Sequence, residues 1–152
     1  MRLDFYSLNK WSLEIALAKI LKKVCSLNKR ALVLASSEER VESLCETLWS
    51  QEPDSWFGHG SSKDGDSNLQ LIWITHIFEN PNNAEFVILT DSRVSNEIYS
   101  FERCIDIFDS KDEDVIQLAR DRWEEANNLG PELHYWKQAN DGSWIEGNIF
   151  NH

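Results

Sequence analysis

The chain has 152 residues, a formal net charge of −11 and a hydrophobic fraction of 41%. This length suits one domain with one core, and a surface this acidic opposes extensive contact with a nucleic-acid backbone. The first residues lack the apolar run of a signal peptide, and the longest apolar stretches are too short to span a bilayer. The sequence therefore predicts a cytoplasmic globular protein that binds neither a membrane nor, strongly, nucleic acid.

Strand and helix patterns alternate in the first part of the chain. Residues 3–8 predict a strand, and the three- and four-residue apolar spacing over 11–27 predicts an amphipathic helix capped by Ser12. The apolar run 31–35 predicts a strand buried on both faces, followed by a second helix that begins at a serine and carries glutamates in its first turn. This order is typical of an α/β fold.

The second part of the chain continues the alternation. The predicted strands are 69–75, 85–90 and 104–108. A loop is predicted over 50–68, and a helix over 112–129 that ends at Gly130. The last segments, 133–138 and 143–146, predict a hairpin around Asp141 and Gly142.

The predicted fold class is α/β: a three-layer sandwich with a Rossmann-like mixed β-sheet flanked by helices. The sheet is expected to be mixed because the late hairpin adds antiparallel pairing to otherwise parallel strands. A single domain is predicted over 1–147, with a frayed tail over 148–152.

No motif for catalysis or for binding a cofactor or metal is found. Neither a glycine-rich dinucleotide loop nor a P-loop follows the first strand, and the four histidines and three cysteines lack metal-ligand spacing. No catalytic residue, metal site or cofactor is therefore predicted. The alternative is a nucleotide- or metal-dependent enzyme on a Rossmann-like scaffold, whose site residues converge only in space.

Three aromatic residues surround the end of the second predicted helix. Trp49 closes the helix, and Trp56 and Phe57 follow in a loop that contains proline and glycine. These side chains either plug the core beside the loop or form an aromatic anchor for a partner protein, since tryptophan is enriched at interface hot spots.

The predicted helix 112–129 combines apolar and cationic residues on one face. Ile116, Arg120 and Trp123 recur at four- and three-residue steps, and Lys137 of the predicted hairpin could add charge nearby. An apolar surface with a guanidinium suits the C-terminus of a peptide, whose side chain packs while its carboxylate meets the arginine. The alternative is an ordinary exposed helix with Glu–Arg pairs.

Several segments together resemble the chi subunit family of bacterial DNA polymerase III, in order and spacing over nearly the whole chain. The segments that carry the resemblance are Phe5–Leu8, Arg30–Leu34, Ser37–Glu39, Leu48–Trp49, Ser55–Gly60, Leu118–Trp123, Tyr135–Gln138 and Gly142–Trp144. Trp56 and Gly58 depart from the family, which usually has phenylalanine and proline at these positions.

The resemblance implies a non-catalytic clamp-loader accessory protein. Family members bridge the acidic C-terminal tail of single-stranded DNA-binding protein to the psi subunit, and some serve a helicase-like partner. By this resemblance Arg120 receives the tail with Trp123 beside it, and Trp49 and Trp56 lie at the psi contact. Some relatives have lysines where this chain has Ile116 and Glu124. The chain alone is expected to be a monomer, and with psi a heterodimer.

Overall fold

The computed structural model describes residues 1–51, 59–60, 71–91 and 96–150. The strands are β1 (Arg2–Leu8), β2 (Ala31–Leu34), β3 (His59–Gly60), β4 (Ile72–Thr75), β5 (Phe86–Leu89), β6 (Arg103–Asp109), β7 (Glu132–Gln138) and β8 (Trp144–Glu146). The helices are α1 (Leu13–Ser26), α2 (Glu38–Gln51) and α3 (Glu113–Leu129), with a 3₁₀ helix at Asn96–Ser100. None of the helices in these described ranges is long and apolar enough to cross a membrane.

The described strands form one sheet in the order β3-β4-β2-β5-β6-β1-β7-β8. All neighbours pair in parallel except β7 and β8, which form an antiparallel hairpin. Strand β1 lies between β6 and β7, and it is in register with β6 from Arg2 opposite Arg103 to Leu8 opposite Asp109. The predicted mixed sheet is therefore confirmed.

The core has two parts, one on each face of the sheet. Strands β2, β4 and β5 are buried at every position because other parts of the chain pack on both faces, as in other parallel sheets. Helices α1 and α2 pack on one face through side chains such as Leu17 and Leu44. Helix α3 and residues near the 3₁₀ helix pack on the other, for example through Ala119 and Phe101. This is the predicted three-layer α/β sandwich.

The ends of the helices follow the capping signals in the sequence. Ser12 Oγ accepts from Ile15 N at 3.3 Å at the start of α1. Ser37 Oγ accepts from Arg40 N at 3.1 Å at the start of α2. Helix α3 ends at Gly130, whose φ of 90° is a left-handed conformation that glycine adopts without strain.

Two stretches differ from the sequence-based expectation. Helix α2 continues to Gln51, and the two-residue strand β3 adds a short edge to the sheet within the predicted loop 50–68. The frayed tail expected over 148–152 is not what residues 148–150 form, because the Ile149 side chain is completely buried on the α3 face of the sheet. Apolar burial of this side chain and the hydrogen bond from Gly147 N to the Tyr135 carbonyl at 3.0 Å hold the segment in place.

Candidate peptide-binding site

Helix α3 presents two different sides, and its buried side fixes its position. Asp112 caps the helix by accepting from Asp114 N at 3.0 Å. The buried residues Ile116, Ala119, Arg122 and Ala126 recur at three- and four-residue steps. One of these buried residues is charged, so it needs a partner inside the core.

That partner is Asp106 in the middle of β6. Arg122 Nε donates to Asp106 Oδ2 at 2.6 Å and Nη2 donates to Oδ1 at 2.9 Å, a bidentate contact. The two side chains are 9% and 1% exposed. Burial raises the pKa of Asp106, and the charge of Arg122 opposes that rise. The pair ties α3 to the sheet, and the sequence analysis did not identify it.

Arg120, two residues earlier, lies at the edge of the core. Its Nε donates to the backbone carbonyl of Ile149 at 3.3 Å. No carboxylate of the described residues lies within 4.0 Å of its guanidinium nitrogens. Burial raises the pKa of Tyr135 in β7, and the charge of Arg120 opposes that rise. Arg120 therefore stands beside β7 with a cationic end that can still accept an acidic partner.

The two apolar residues of the predicted surface are less exposed than the sequence suggested. Ile116 is only 4% exposed and belongs to the core cluster, so it is not the free apolar surface that the pattern predicted. Trp123 is half-buried, and its ring packs against Phe5 of β1 with 5.3 Å between ring centroids. Both side chains are covered because this side of α3 packs on the sheet, where Trp123 meets β1.

Lys137 lies on the other wall of an open groove beside α3. The groove has a volume of about 490 Å³, and Ile116, Glu113, Lys137 and Asn140 are among the residues that line it. Lys137 itself is exposed near the end of β7. The structure thus brings Ile116 and Lys137 to one groove, and it places Arg120 and Trp123 on α3 one and two turns beyond it.

Gln138 fixes the loop at one end of this groove. Its Oε1 accepts from the backbone N–H groups of Asn9, Lys10 and Trp11 at 3.2, 2.9 and 3.0 Å. Its Nε2 donates to the carbonyl of Gly142 at 3.3 Å. Because the side chain is only 1% exposed, these bonds hold the β1–α1 loop and the β7–β8 hairpin against one another.

The second predicted surface is only partly described. Trp49 lies in the last turn of α2, but the structure does not describe its side chain. Trp56 and Phe57 lie outside the described residues. Whether these three aromatic side chains pack in the core or contact a partner protein stays a prediction.

The position at which α/β folds commonly bind ligands has an acidic lining here. A pocket of about 400 Å³ lies at the carboxyl ends of β1 and β6 beside the first turn of α1. Glu14, Asp91 and Asp109 line it, and carboxylates oppose the phosphates of a nucleotide. Among the described residues, no three His, Cys, Asp or Glu side chains are placed to hold one metal ion.

Comparison with known proteins gives the family. The model of the family "DNA polymerase III chi subunit, HolC" matches residues 1–134. The chain belongs to this family. A curated relative, the "Probable DNA polymerase III subunit chi" of Rickettsia prowazekii (strain Madrid E), is 26% identical over 93 residues. That alignment covers 61% of this chain and 56% of the relative, so the chain spans little more than half the length of that protein.

Family membership connects the chain to the replicative polymerase DNA polymerase III. The matched residues contain all of α3, with Arg120 and Trp123, and all of α2, with Trp49. They end within β7, so Lys137, β8 and the buried Ile149 lie beyond the match. The wall of the groove that Lys137 forms therefore lies outside the matched residues.

Proposed function

We propose that this chain is a non-catalytic adaptor of the DNA polymerase III holoenzyme. It holds the acidic C-terminal tail of single-stranded DNA-binding protein on the α3 surface and links it to the psi subunit and the clamp loader. The observation that carries the proposal is the half-buried Arg120, which has no carboxylate of the described residues within 4.0 Å and stands next to the open groove beside α3.

The chemistry of the surface suits a peptide with an apolar end and a free carboxylate. The terminal nitrogens of Arg120 can take a carboxylate in a bidentate contact, and Lys137 adds a cation across the groove. Half-buried Trp123 adds a partly exposed aromatic side chain three residues after the arginine on the same helix. One arginine, one lysine and one aromatic side chain give such a peptide both charged and apolar contacts.

The charges on the same helix limit how strongly an acidic tail binds. Helix α3 carries Asp121, Glu124 and Glu125 on or near its exposed side, and its last turn has no basic residue. Glu124 stands next to Trp123, so an acidic segment is repelled unless it approaches along Arg120 and Lys137. We therefore expect modest affinity that falls as salt screens the few attractive contacts.

The test is calorimetric titration with a synthetic peptide of the last ten residues of single-stranded DNA-binding protein from the same cell. Arg120→Ala should weaken binding about tenfold or more, which is about 1.4 kcal/mol and close to the range for a hydrogen bond to a charged group. Arg40→Ala is the matched control, because Arg40 on α2 carries the same charge but pairs with Glu14 and Asp91.

Two results would contradict the proposal. If wild type has no measurable affinity for the peptide, the tail is not its ligand. If Arg120→Ala and Arg40→Ala weaken binding equally, only net charge matters and the assignment of Arg120 is wrong.

The second contact is assigned to the end of α2 and the following loop. Trp49, Trp56 and Phe57 would form the aromatic anchor for psi or for a helicase-like partner. Trp49→Ala and Trp56→Ala should reduce co-purification with the clamp loader and leave the affinity for the tail peptide unchanged. If both variants merely unfold, as judged by far-UV circular dichroism, these tryptophans are core residues and the anchor assignment fails.

A further inference from the structure

The last described residues of the chain lie against the surface assigned to the tail. We define the C-terminal segment as residues 147–150. It begins with Gly147, whose N–H donates to the carbonyl of Tyr135 in β7 at 3.0 Å. It then places the Ile149 side chain in the core at 0% exposure, and Phe150 remains 46% exposed. The segment is thus anchored at two points and ends at the surface.

The contacts of Ile149 involve residues of the candidate site. The carbonyl of Ile149 accepts the hydrogen bond from Arg120 Nε at 3.3 Å. The Ile149 side chain is buried in the cluster that contains Ile116, Ala119 and Tyr135. A buried apolar side chain whose main-chain oxygen accepts from an arginine is the kind of contact that a docked peptide makes.

The charge of the segment fits this surface better than that of an acidic peptide. Residues 147–150 are Gly, Asn, Ile and Phe, without a charged side chain. Helix α3 has two arginines, one of them buried with Asp106, against several exposed acids. A neutral segment satisfies Arg120 without the repulsion that an acidic tail meets from Glu124.

We propose that the C-terminal segment is an internal ligand that occupies the peptide site on α3, so that a partner peptide binds Arg120 only when the segment is released. This inference rests on the proposed function, because the competitor is the tail assigned there. It adds a self-contact that lies beyond the residues matched by the family, which end at 134. The observed association constant for the tail is then the intrinsic association constant multiplied by the fraction of molecules in which the segment is released.

The experiment compares three proteins in fluorescence anisotropy with the labelled tail peptide. They are the full chain, the full chain with Ile149→Ser, and a chain that ends after Gly147. Ile149→Ser removes the apolar anchor, and the shorter chain keeps β8 and the Gly147 bond to Tyr135. Both variants should bind the peptide about tenfold more tightly, as expected if the segment is docked in roughly nine molecules of ten.

Two controls make the result specific. Ile77→Ser makes the same change at an isoleucine that is 54% exposed after β4, so it should leave the affinity unchanged. A free peptide of residues 145–152 should bind the shortened chain, compete with the tail peptide for it, and lose its affinity when Arg120→Ala is added. Far-UV circular dichroism checks that each variant is folded.

The possible outcomes separate this inference from the proposed function. Tighter binding by both variants supports the internal ligand. Equal or weaker binding, with the full chain still binding the tail, overturns it and leaves the adaptor function standing, since the segment would then be part of the floor of the site. If no form binds the tail, the proposed function fails and the competition fails with it. If Ile149→Ser does not fold, the shortened chain and the free peptide decide alone.

Discussion

The buried Asp106–Arg122 pair should dominate the stability of the α3 face. Arg122→Met removes the guanidinium, keeps an apolar chain of similar length, and leaves a carboxyl that is 1% exposed without its bidentate partner. Removing one member of a buried ion pair typically costs about 3–5 kcal/mol, because the remaining charge is uncompensated. That is a large share of the roughly 5–15 kcal/mol that a domain has in total.

The assay is urea unfolding followed by tryptophan fluorescence, which the chain's seven tryptophans make sensitive. Arg120→Met is the matched control, because it is the same substitution two residues earlier on the same helix. Arg120 is half-buried, and its one hydrogen bond within the described residues is to the Ile149 carbonyl at 3.3 Å, so its loss should cost no more than about 1.5 kcal/mol.

Two further measurements test whether the uncompensated charge of Asp106 causes the loss of stability. In Asp106→Leu/Arg122→Met both charges are gone, so this variant should be at least about 2 kcal/mol more stable than Arg122→Met alone. In the single variant, burial raises the pKa of Asp106 without the opposing arginine. A carboxyl with a raised folded pKa binds its proton more tightly when folded, so the loss of stability should shrink as pH falls from 7 to 5. Equal costs for the Arg122 and Arg120 substitutions would refute the reasoning.

Two other side chains give independent predictions. Gln138→Leu leaves three backbone N–H groups without their acceptor and should reduce the free energy of unfolding by about 2–4 kcal/mol. The control Gln117→Leu, at an exposed glutamine, should change the free energy of unfolding by about 0.5 kcal/mol or less. Hydrogen bonds to Glu146 and Glu132 raise the pKa of His134. The stability that His134 adds to the folded state is therefore complete below pH 6.5 and is lost as pH rises through the raised pKa. The difference in urea midpoint between wild type and His134→Gln should therefore disappear between pH 6 and pH 9, and a difference that persists at pH 9 would contradict this assignment.

Local patterns in the sequence account for most of the fold. The apolar run 31–35 predicts a strand covered on both faces, and β2 is buried at all four positions. Ser12 and Gly130 mark helix ends because caps act within one turn of the backbone. The two-residue β3 was missed because so short a strand has no periodicity and forms only by pairing with β4.

The residues that were missed depend on contacts between distant parts of the chain. Asp4 lies in a predicted strand, and besides Arg2 of the same strand its buried carboxylate accepts from Arg103 Nε at 2.6 Å and Trp136 Nε1 at 3.0 Å, which come from β6 and β7. Ile149 stands in a short polar segment, and only the assembled α3 face gives it a place to be buried. Neither contact leaves a local signal in the sequence.

The two arginines of the Ala-Arg-Asp-Arg segment show why the candidate site could be predicted only in part. Positions two residues apart on a helix point to nearly opposite sides, so one of Arg120 and Arg122 must face inward when α3 packs on the sheet. The sequence alone does not say which, because the deciding residue is Asp106, sixteen residues away in β6. With Arg122 held inside by that carboxylate, Arg120 is directed to the edge of the core, where it meets the carbonyl of Ile149. The same buried pair that stabilises the helix therefore leaves Arg120 as the arginine of this helix to which we assign the peptide contact.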